Sequence, residues 1–269
     1  ECPLLPGGGS KTDLSNKIWH RKQRVLHNRN IYYVTCSEWL GRQARQSALL
    51  RGQEVGTIPN PIDTRMFCPK SQKEARLRAG LITDKQLILF VSQRVTDKRK
   101  GIDFLIEAVG KLIEARPELK DHLGVAILGG QSEAITDNLP LPVYSLGYVS
   151  DEKRLVDIYN SANVFVLPSL EDNLPNTIME SMACGVPCIG FRVGGIPEMI
   201  DHKMNGYVAE FKDASDFAAG LFWVLHEADH DELRRNAVQK VQSKYSQTYV
   251  SQRYIEVYNQ ALAIKEFHL

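Results

Sequence analysis

The chain has 269 residues, with 33 lysines and arginines against 32 aspartates and glutamates, so its net charge gives no reason to expect a nucleic-acid partner. Its 43% hydrophobic and 24% charged residues are ordinary for a soluble globular protein, and no apolar run approaches the roughly 20 residues that span a bilayer. The five cysteines are scattered, which is typical of free thiols in a reducing compartment such as the cytoplasm. The first residue is Glu1 rather than Met, which suggests a fragment.

The first part of the chain predicts the end of one structural unit. The basic stretch 17–29 has a helical pattern and is interpreted as a solvated helix face, with peripheral contact to a membrane as the alternative. A strand is predicted from Ile31, and Ser37 is a suitable N-cap for a helix that runs to about Ser47. EVGTIPNPID, residues 54–63, then predicts a short strand that prolines end, as in a linker between two lobes.

From residue 87 onward, short apolar strands alternate with amphipathic helices. Continuous apolar strands of about six residues are typical of a parallel sheet that helices cover on both faces, so the predicted fold class is α/β. The predicted strands are LILFVS (87–92), LGVAIL (123–128), PVYSLG (142–147), NVFVLP (163–168), VPCIGF (186–191) and GYVAEF (206–211). The predicted helices are 101–115, 152–162, one from Pro175, a short one at Ile196, and three between 214 and 266.

Unusual loops follow the carboxyl ends of five of these strands. In an open α/β sheet this edge is where ligands bind. Gly194 and Gly195 fit either close approach of the backbone to a ligand or a tight strand-to-helix turn. The loops contain Arg94 to Gly101, Gly129-Gly130, Tyr148 to Ser150, Ser169 to Asn173, and Arg192 to Gly195.

Arg94 and Lys100 enclose a basic loop. A guanidinium grips phosphate oxygens as a fork and an ammonium adds charge, so the loop predicts a phosphate site, with a solvated charged loop as the alternative.

The helix after Pro175 carries a lone acid, Glu180. We predict Asn173 as its N-cap, and the N–H groups of Asn176 and Thr177 as an anion site. Its apolar face comprises Ile178, Met179, Met182 and Ala183, while its other flank comprises Thr177, Glu180, Ser181 and Cys184. Because the side chains on that flank are short apart from Glu180, we predict that the flank faces a bulky ligand. The predicted ligand is a nucleotide, and Glu180 would bind its sugar hydroxyls. The alternative is that Glu180 pairs with a lysine inside the fold.

Residues 172–191, DNLPNTIMESMACGVPCIGF, resemble the E-x7-E signature of retaining GT-B glycosyltransferases of family 4. IPNPIDTRMF resembles the interdomain segment of that family, and the loop from Arg94 to Gly101 resembles its phosphate loop. LGYVSDEKRLVDIYNSANVFVLPS and VGGIPEMIDHKMNGYV also match, so the resemblance covers roughly residues 31 to 265.

This resemblance implies a role for each matching residue. Arg94 and Lys100 would neutralise the donor diphosphate, Glu180 would hold the ribose, and Asp172 would contact the donor sugar, with Glu171 able to share that task. The remaining implied donor-binding residues are Asn173, Leu174, Pro175, Asn176, Thr177, Tyr148, Val149, Ser150, Gly129 and Gly130. Catalysis would then depend on positioning and on stabilising the departing diphosphate of a UDP- or GDP-linked sugar, with no metal and no further cofactor.

The domain expectations also come from the resemblance. Residues 1–53 would end a truncated N-terminal, acceptor-side lobe, 54–247 would form a complete Rossmann-like C-terminal lobe that binds the donor, and 248–269 would cross back as a helix. Asp172 is one methylene shorter than the usual Glu, and Pro61 stands where Gly is usual, which should stiffen the linker. With so little of the N-terminal lobe, we expect a chain that binds donor without catalysing transfer.

The implied activity is transfer of a hexose, with retention, to a glycan or lipid-linked glycan acceptor in cell-surface polysaccharide biosynthesis. The alternatives are a non-catalytic nucleotide-sugar-binding module and another GT-B enzyme such as a sugar-nucleotide epimerase. A phosphorylase would need a pyridoxal-binding lysine motif, which is not seen. The apolar stripe of the C-terminal helix would be exposed or would pair with a second copy of the chain.

Overall fold

The computed structural model describes residues 9–26, 29 and 31–266. They form two compact units, one ending at Ile58 and the other beginning at Pro59. The predicted loop at 1–8, part of the basic stretch at 27–28 and the last three residues of the predicted C-terminal segment lie outside the described residues. The predicted domain bounds at 53 and 247 stay predictions.

The first unit contains a small parallel sheet. Its strands pair with Tyr32 opposite Glu54. Its second helix begins where predicted, because the Ser37 side chain accepts a hydrogen bond from the Leu40 N–H at 3.0 Å. The elements are α1 (Leu14–Leu26), β1 (Tyr32–Thr35), α2 (Glu38–Gln46) and β2 (Glu54–Thr57).

The second unit alternates strands with helices. Its strands are β3 (Gln86–Arg94), β4 (Leu123–Gly130), β5 (Val143–Gly147), β6 (Val164–Leu167), β7 (Cys188–Phe191) and β8 (Gly206–Ala209). Its α-helices are α3 (Gln72–Ala79), α4 (Ile102–Ala115), α5 (Glu152–Ser161), α6 (Asn176–Ala183), α7 (Ile196–Met199), α8 (Ala214–Phe222), α9 (His230–Lys244) and α10 (Gln247–Glu266). Short 3-10 turns occupy Lys98–Lys100, Pro117–Asp121 and Ser132–Asn138, and a π-helical turn occupies Trp223–Glu227.

The six strands of this unit form one parallel sheet, in the order β5-β4-β3-β6-β7-β8. The side chains of Leu87, Ile88, Leu89 and Phe90 on β3 are all fully buried, as expected for a strand covered on both faces. Ile88 and Phe90 belong to the core that α4 and α8 cover. The α/β prediction is therefore confirmed.

The strand order reverses between β3 and β6. The chain moves outward from β3 to β4 and β5, then returns to place β6 on the other side of β3. The connections on the two sides of such a switch point diverge, which leaves a crevice at the carboxyl ends of the two central strands. The loops after β3 and β6 therefore border the expected ligand crevice.

Helix α3 was not predicted from the sequence. Its sequence is strongly polar, and Ala75 and Ala79 are its only buried residues.

Within the described residues, no helix is both long enough and apolar enough to span a membrane.

Candidate functional site at the switch point

The structure brings the predicted loops to one edge of the sheet. Arg94 ends β3 opposite Gly130 of β4, and the Val95 N–H donates to the Gly130 carbonyl at 3.1 Å. Tyr148 follows the edge strand β5 and is 70% exposed. Because neighbouring strands lie about 4.8 Å apart, the ends of β5 and β6 are separated by roughly 14 Å across this edge. That span is wide enough for an extended ligand.

Lys100 and Asp172 meet at the switch point. The Lys100 Nζ lies 2.7 Å from Asp172 Oδ2, and the side chains are 28% and 14% exposed. The Ser169 hydroxyl donates to the same oxygen at 3.2 Å. The charge of Asp172 is therefore compensated by a cation and a hydroxyl from the two loops that border the crevice.

Two glycines hold the loop after β6 against its neighbours. Gly101 has φ +68°, and a Cβ there would lie 1.9 Å from the Pro168 carbonyl oxygen. Gly194 has φ +58°, and a Cβ there would lie 1.6 Å from the Asp172 carbonyl oxygen. A side chain is unfavourable at both sites, because the backbone is in the left-handed region and because an added Cβ would collide with a carbonyl oxygen. Gly194 and Gly195 form the predicted tight turn between β7 and α7, with the Ile196 N–H donating to the Val193 carbonyl at 3.2 Å, while close approach of this backbone to a ligand stays a prediction.

Arg94 is the more available of the two predicted cations. Its side chain is exposed, and within the described part of the chain it makes no hydrogen bond or ion pair. Nearby Arg99 is different, since its guanidinium is held by Asp97 at 2.8 Å. Glu171, the neighbour of Asp172, is exposed.

The start of α6 corrects one prediction. The N-cap is Pro175, with φ −67° and ψ 118°, and not Asn173. The first helical carbonyl contact is from the Ile178 N–H to the Pro175 carbonyl at 3.1 Å, so the helix begins two residues later than an Asn173 cap requires. The N–H groups of Asn176 and Thr177 still precede the first full helical turn and lack intrahelical acceptors.

Glu180 lies on α6 in unusual surroundings for a carboxylate. Its Oε2 accepts a hydrogen bond of 2.6 Å from the Tyr159 hydroxyl on α5. Across the described residues, its side chain makes no other hydrogen bond and no ion pair. The predicted alternative, a lysine partner, is therefore wrong. Burial raises the pKa of Glu180, the Tyr159 hydrogen bond lowers it, and the charge of Glu152 raises it. Such an uncompensated acid is a functional-site candidate.

The predicted ligand-facing flank of α6 is wrong at two residues, Ser181 and Cys184. Cys184 is fully buried, with Cys68, Lys70 and Asn160 among its neighbours. Ser181 is also buried and donates to the Val186 carbonyl at 3.4 Å. These short side chains make room for the packing of α6 against α5 and α9. Glu180, in contrast, lines a pocket.

That pocket has a volume of about 330 Å³. Pro61, Met66, Phe67 and Met179 give it apolar walls, while acids and amides provide polar groups, the mixture typical of ligand sites. It is lined by Pro61, Ile62, Asp63, Met66, Phe67, Glu152, Asn176, Met179, Glu180 and Gln247. Most of these residues, and Tyr159, were not predicted from the sequence, although Asp63 and Tyr159 lie within IPNPIDTRMF and LVDIYNSA, two segments that match the family.

The parallel sheet and switch-point crevice define a Rossmann-like α/β lobe. A family model described as glycosyl transferases group 1 matches residues 85–227, more than half of the chain, so the chain belongs to this family. The D-inositol 3-phosphate glycosyltransferase of Nocardiopsis dassonvillei is 32% identical over 202 residues, which are 69% of this chain and 46% of that protein. The chain spans about half the length of the curated relatives that it matches.

Solved structures show the same fold. Sucrose-phosphate synthase from Thermosynechococcus elongatus has a TM-score of 0.76 at 22% identity, covering 95% of this chain and 64% of that one. HepE from Anabaena, solved in complex with UDP-glucose, has a TM-score of 0.71 at 17% identity, covering 93% and 70%. The expected GT-B-type fold with a Rossmann-like lobe is thus confirmed.

Proposed function

We propose that the unit beginning at Pro59 binds the nucleotide-sugar donor of a glycosyltransferase, with the ribose at Glu180. The observation that carries this proposal is the carboxylate of Glu180, which lies beside an open pocket and has a hydroxyl but no cation as partner among the described residues. Holding a charge in these surroundings costs stability, as the raised pKa indicates. A sugar diol, which donates two hydrogen bonds, would satisfy the carboxylate.

The diphosphate would lie at the switch point. Lys100 and Arg94 supply positive charge there, and the N-terminus of α6 supplies N–H groups at Asn176 and Thr177. As the phosphates arrive, Lys100 exchanges its contact with Asp172 for a phosphate oxygen. Asp172 then becomes available to a hydroxyl of the donor sugar.

The base would lie toward Tyr148, Val149 and Ser150, with Gly129 and Gly130 between base and phosphates. A UDP- or GDP-linked donor is consistent with this placement. The HepE structure supports UDP, since that neighbour was solved with UDP-glucose. No metal and no further cofactor enter the proposal.

The intact protein would transfer a hexose with retention, the stereochemistry that the E-x7-E resemblance implies, to a glycan or lipid-linked glycan in cell-surface polysaccharide synthesis. Because the chain spans about half the length of its curated relatives, we propose that it binds donor but does not transfer it alone. In this reaction, direct contacts with the donor would be made by Arg94, Lys100, Asp172 and Glu180.

The test is thermal denaturation with UDP, GDP, ADP and CDP, each added separately. A ligand at 100 times its Kd stabilises by about 2.7 kcal/mol, which corresponds to a midpoint shift of roughly 5 °C or more. We expect a shift with one nucleotide and a much smaller shift in Glu180→Gln, which offers one acceptor oxygen, shared with Tyr159, and an NH₂ group that only donates, so it cannot accept from both hydroxyls of a diol. A shift of undiminished size in Glu180→Gln would contradict the role of Glu180, and no shift with any nucleotide would contradict donor binding.

A further inference from the structure

The partner of Glu180 is a residue with no assigned role. The Tyr159 hydroxyl reaches across from α5 to α6 and donates to Glu180 Oε2 at 2.6 Å, a short hydrogen bond of the kind made to charged acceptors. A hydroxyl donates a single proton, so it occupies one of the roughly four lone-pair sites of a carboxylate. Oε1 and part of Oε2 therefore stay available to a ligand.

Tyr159 is held in place by aromatic packing. Its side chain is fully buried, and its ring meets those of Phe67 and Phe165 edge-on, with centroids 6.4 and 6.1 Å away. Phe165 lies on the central strand β6, while Phe67 lines the pocket beside Glu180. A donor fixed in this way holds its acceptor in one orientation.

The charged and titratable groups around Glu180 do not replace this donor. Glu152 on α5 raises the pKa of Glu180 by its charge, Asp63 lines the same pocket, and Cys184, the C-cap of α6, is buried. None of these three groups is a cation, and Lys70, whose charge acts on Cys184, is paired with Asp157 at 3.7 Å. In the part of the chain that the structure describes, Tyr159 alone donates a hydrogen bond to the Glu180 side chain.

We propose that Tyr159 is a positioning residue for nucleotide recognition, which acts by holding Glu180 Oε2 so that the rest of the carboxylate faces a ribose diol. This inference rests on the proposed function, because it assigns the ligand of Glu180 to a nucleotide. A lysine at the same place would occupy more of the carboxylate and neutralise it. The tyrosine orients the acid and leaves it charged for the ligand.

The test compares Tyr159→Phe with Tyr245→Phe. Tyr245 is a suitable control because it is also buried in this unit, and its hydroxyl donates to the Glu198 carbonyl at 3.4 Å. It meets the pocket residue Ile62 through its backbone carbonyl, at 2.8 Å, and the substitution leaves that contact in place. Kd for UDP is measured by calorimetry between about pH 5 and pH 8. At pH 7.5 we expect Tyr159→Phe to weaken UDP binding about tenfold, because a carboxylate that is no longer held must be ordered when the nucleotide binds, and Tyr245→Phe to leave binding unchanged.

The pH dependence separates positioning from mere structural support. Loss of the hydroxyl removes the contact that lowers the pKa of Glu180, so the pKa should rise further in Tyr159→Phe. UDP affinity, which needs the carboxylate, should then decline on acidification from a higher pH than in the wild type. The same shift should appear without nucleotide, in the carboxyl ¹³C titration of Glu180, assigned by its disappearance in Glu180→Gln.

A double-mutant cycle tests the route of the effect. If Tyr159 acts through Glu180, adding Tyr159→Phe to Glu180→Gln should weaken UDP binding no further. Additive losses, or a Glu180 titration and UDP profile that Tyr159→Phe leaves unchanged, would overturn the inference. If wild-type chain binds UDP normally in those experiments, the proposed function survives. Wild-type chain that binds none of the four nucleotides would instead overturn the proposed function and this inference with it.

Discussion

The loop after β6 and the body of α6 each present one acid, and the two acids are treated in opposite ways. Asp172 in the loop is bound by Lys100 at 2.7 Å and by the Ser169 hydroxyl. Glu180 on the helix has a neutral tyrosine as its donor, and burial raises its pKa. The two are separated by seven residues, and only their surroundings distinguish them so sharply.

The difference indicates which acid stabilises the fold and which one destabilises it. A paired, partly buried carboxylate contributes to stability, whereas a desolvated one without a cation reduces stability wherever it is ionised. We therefore expect removal of the two charges to change stability in opposite directions. Four sets of substitutions test this contrast, from the largest expected effect to the smallest.

Gly194→Ala should have the largest effect. A Cβ at Gly194 would lie 1.6 Å from the Asp172 carbonyl oxygen, on a left-handed backbone, so the loop that carries Asp172 must move. We expect a loss of about 3–4 kcal/mol in the free energy of unfolding, measured by urea denaturation. Gly110→Ala is the matched control: that site lies within α4 with no atom within 4 Å of the added Cβ, so it should gain about 1 kcal/mol. Equal effects at both sites would refute this view of the loop.

The pairing of Lys100 with Asp172 should contribute measurably to stability. A double-mutant cycle with Lys100→Met and Asp172→Asn should give a coupling of about 1–2 kcal/mol, because the pair is partly buried. The pair Arg192–Glu210, at 3.0 Å but 53% and 62% exposed, should give about 0.5 kcal/mol or less. A coupling for Lys100 and Asp172 no larger than in this control would remove the contrast between the two acids.

Glu180→Gln should raise stability modestly at neutral pH. The pKa of Glu180 is raised in the folded state above its ordinary value of 4.5, so the fold binds the proton more tightly than the unfolded chain. Stability from this group is thus fully present below about pH 4.5 and is lost as pH rises through the folded pKa. The midpoint of urea unfolding should therefore be higher for the variant at about pH 7.5, with the difference vanishing near pH 4. Destabilisation at pH 7.5, as expected for Asp172→Asn, would be the contrary result.

Glu171→Gln should have the smallest effect. Its side chain is exposed, so we expect a change within about 0.5 kcal/mol in unfolding and no change in the midpoint shift that a nucleotide produces. A lost nucleotide shift in this variant would show that Glu171, rather than Asp172, serves the donor sugar.

Much of the fold could be predicted because its signals are local. Buried strands such as Leu87 to Phe90 read as apolar runs, and Ser37 marks a helix start through its own side chain. The missed helix α3 also had a local signal, since Ser71 caps it at one end and Gly80 ends it in the left-handed region. Its polar sequence concealed these caps. The domain bounds and the functional roles of the site residues stay predictions.

The site could be predicted only in part. The carboxyl-edge rule placed Lys100 and Asp172 at the same edge of the sheet, and the structure shows them in contact. The hydrogen-bond donor to Glu180 could not be predicted in the same way. Tyr159 is on another helix, and nothing in the local sequence indicates that its hydroxyl points toward Glu180. The Asn173 cap was also wrong, by two residues, because the chain enters the helix at Pro175.

The sequence by itself determined the alternation of strands and helices, the α/β class and the presence of acids around the start of α6. Periodicity and capping depend on neighbours a few residues away, so they are readable from the chain alone. Tertiary structure alone decided that Lys100 compensates Asp172, that Cys184 faces the core, and that Tyr159 meets Glu180. Charge compensation and desolvation depend on groups that are distant in sequence, and only the packing of α5 and α6 around the sheet brings those groups together.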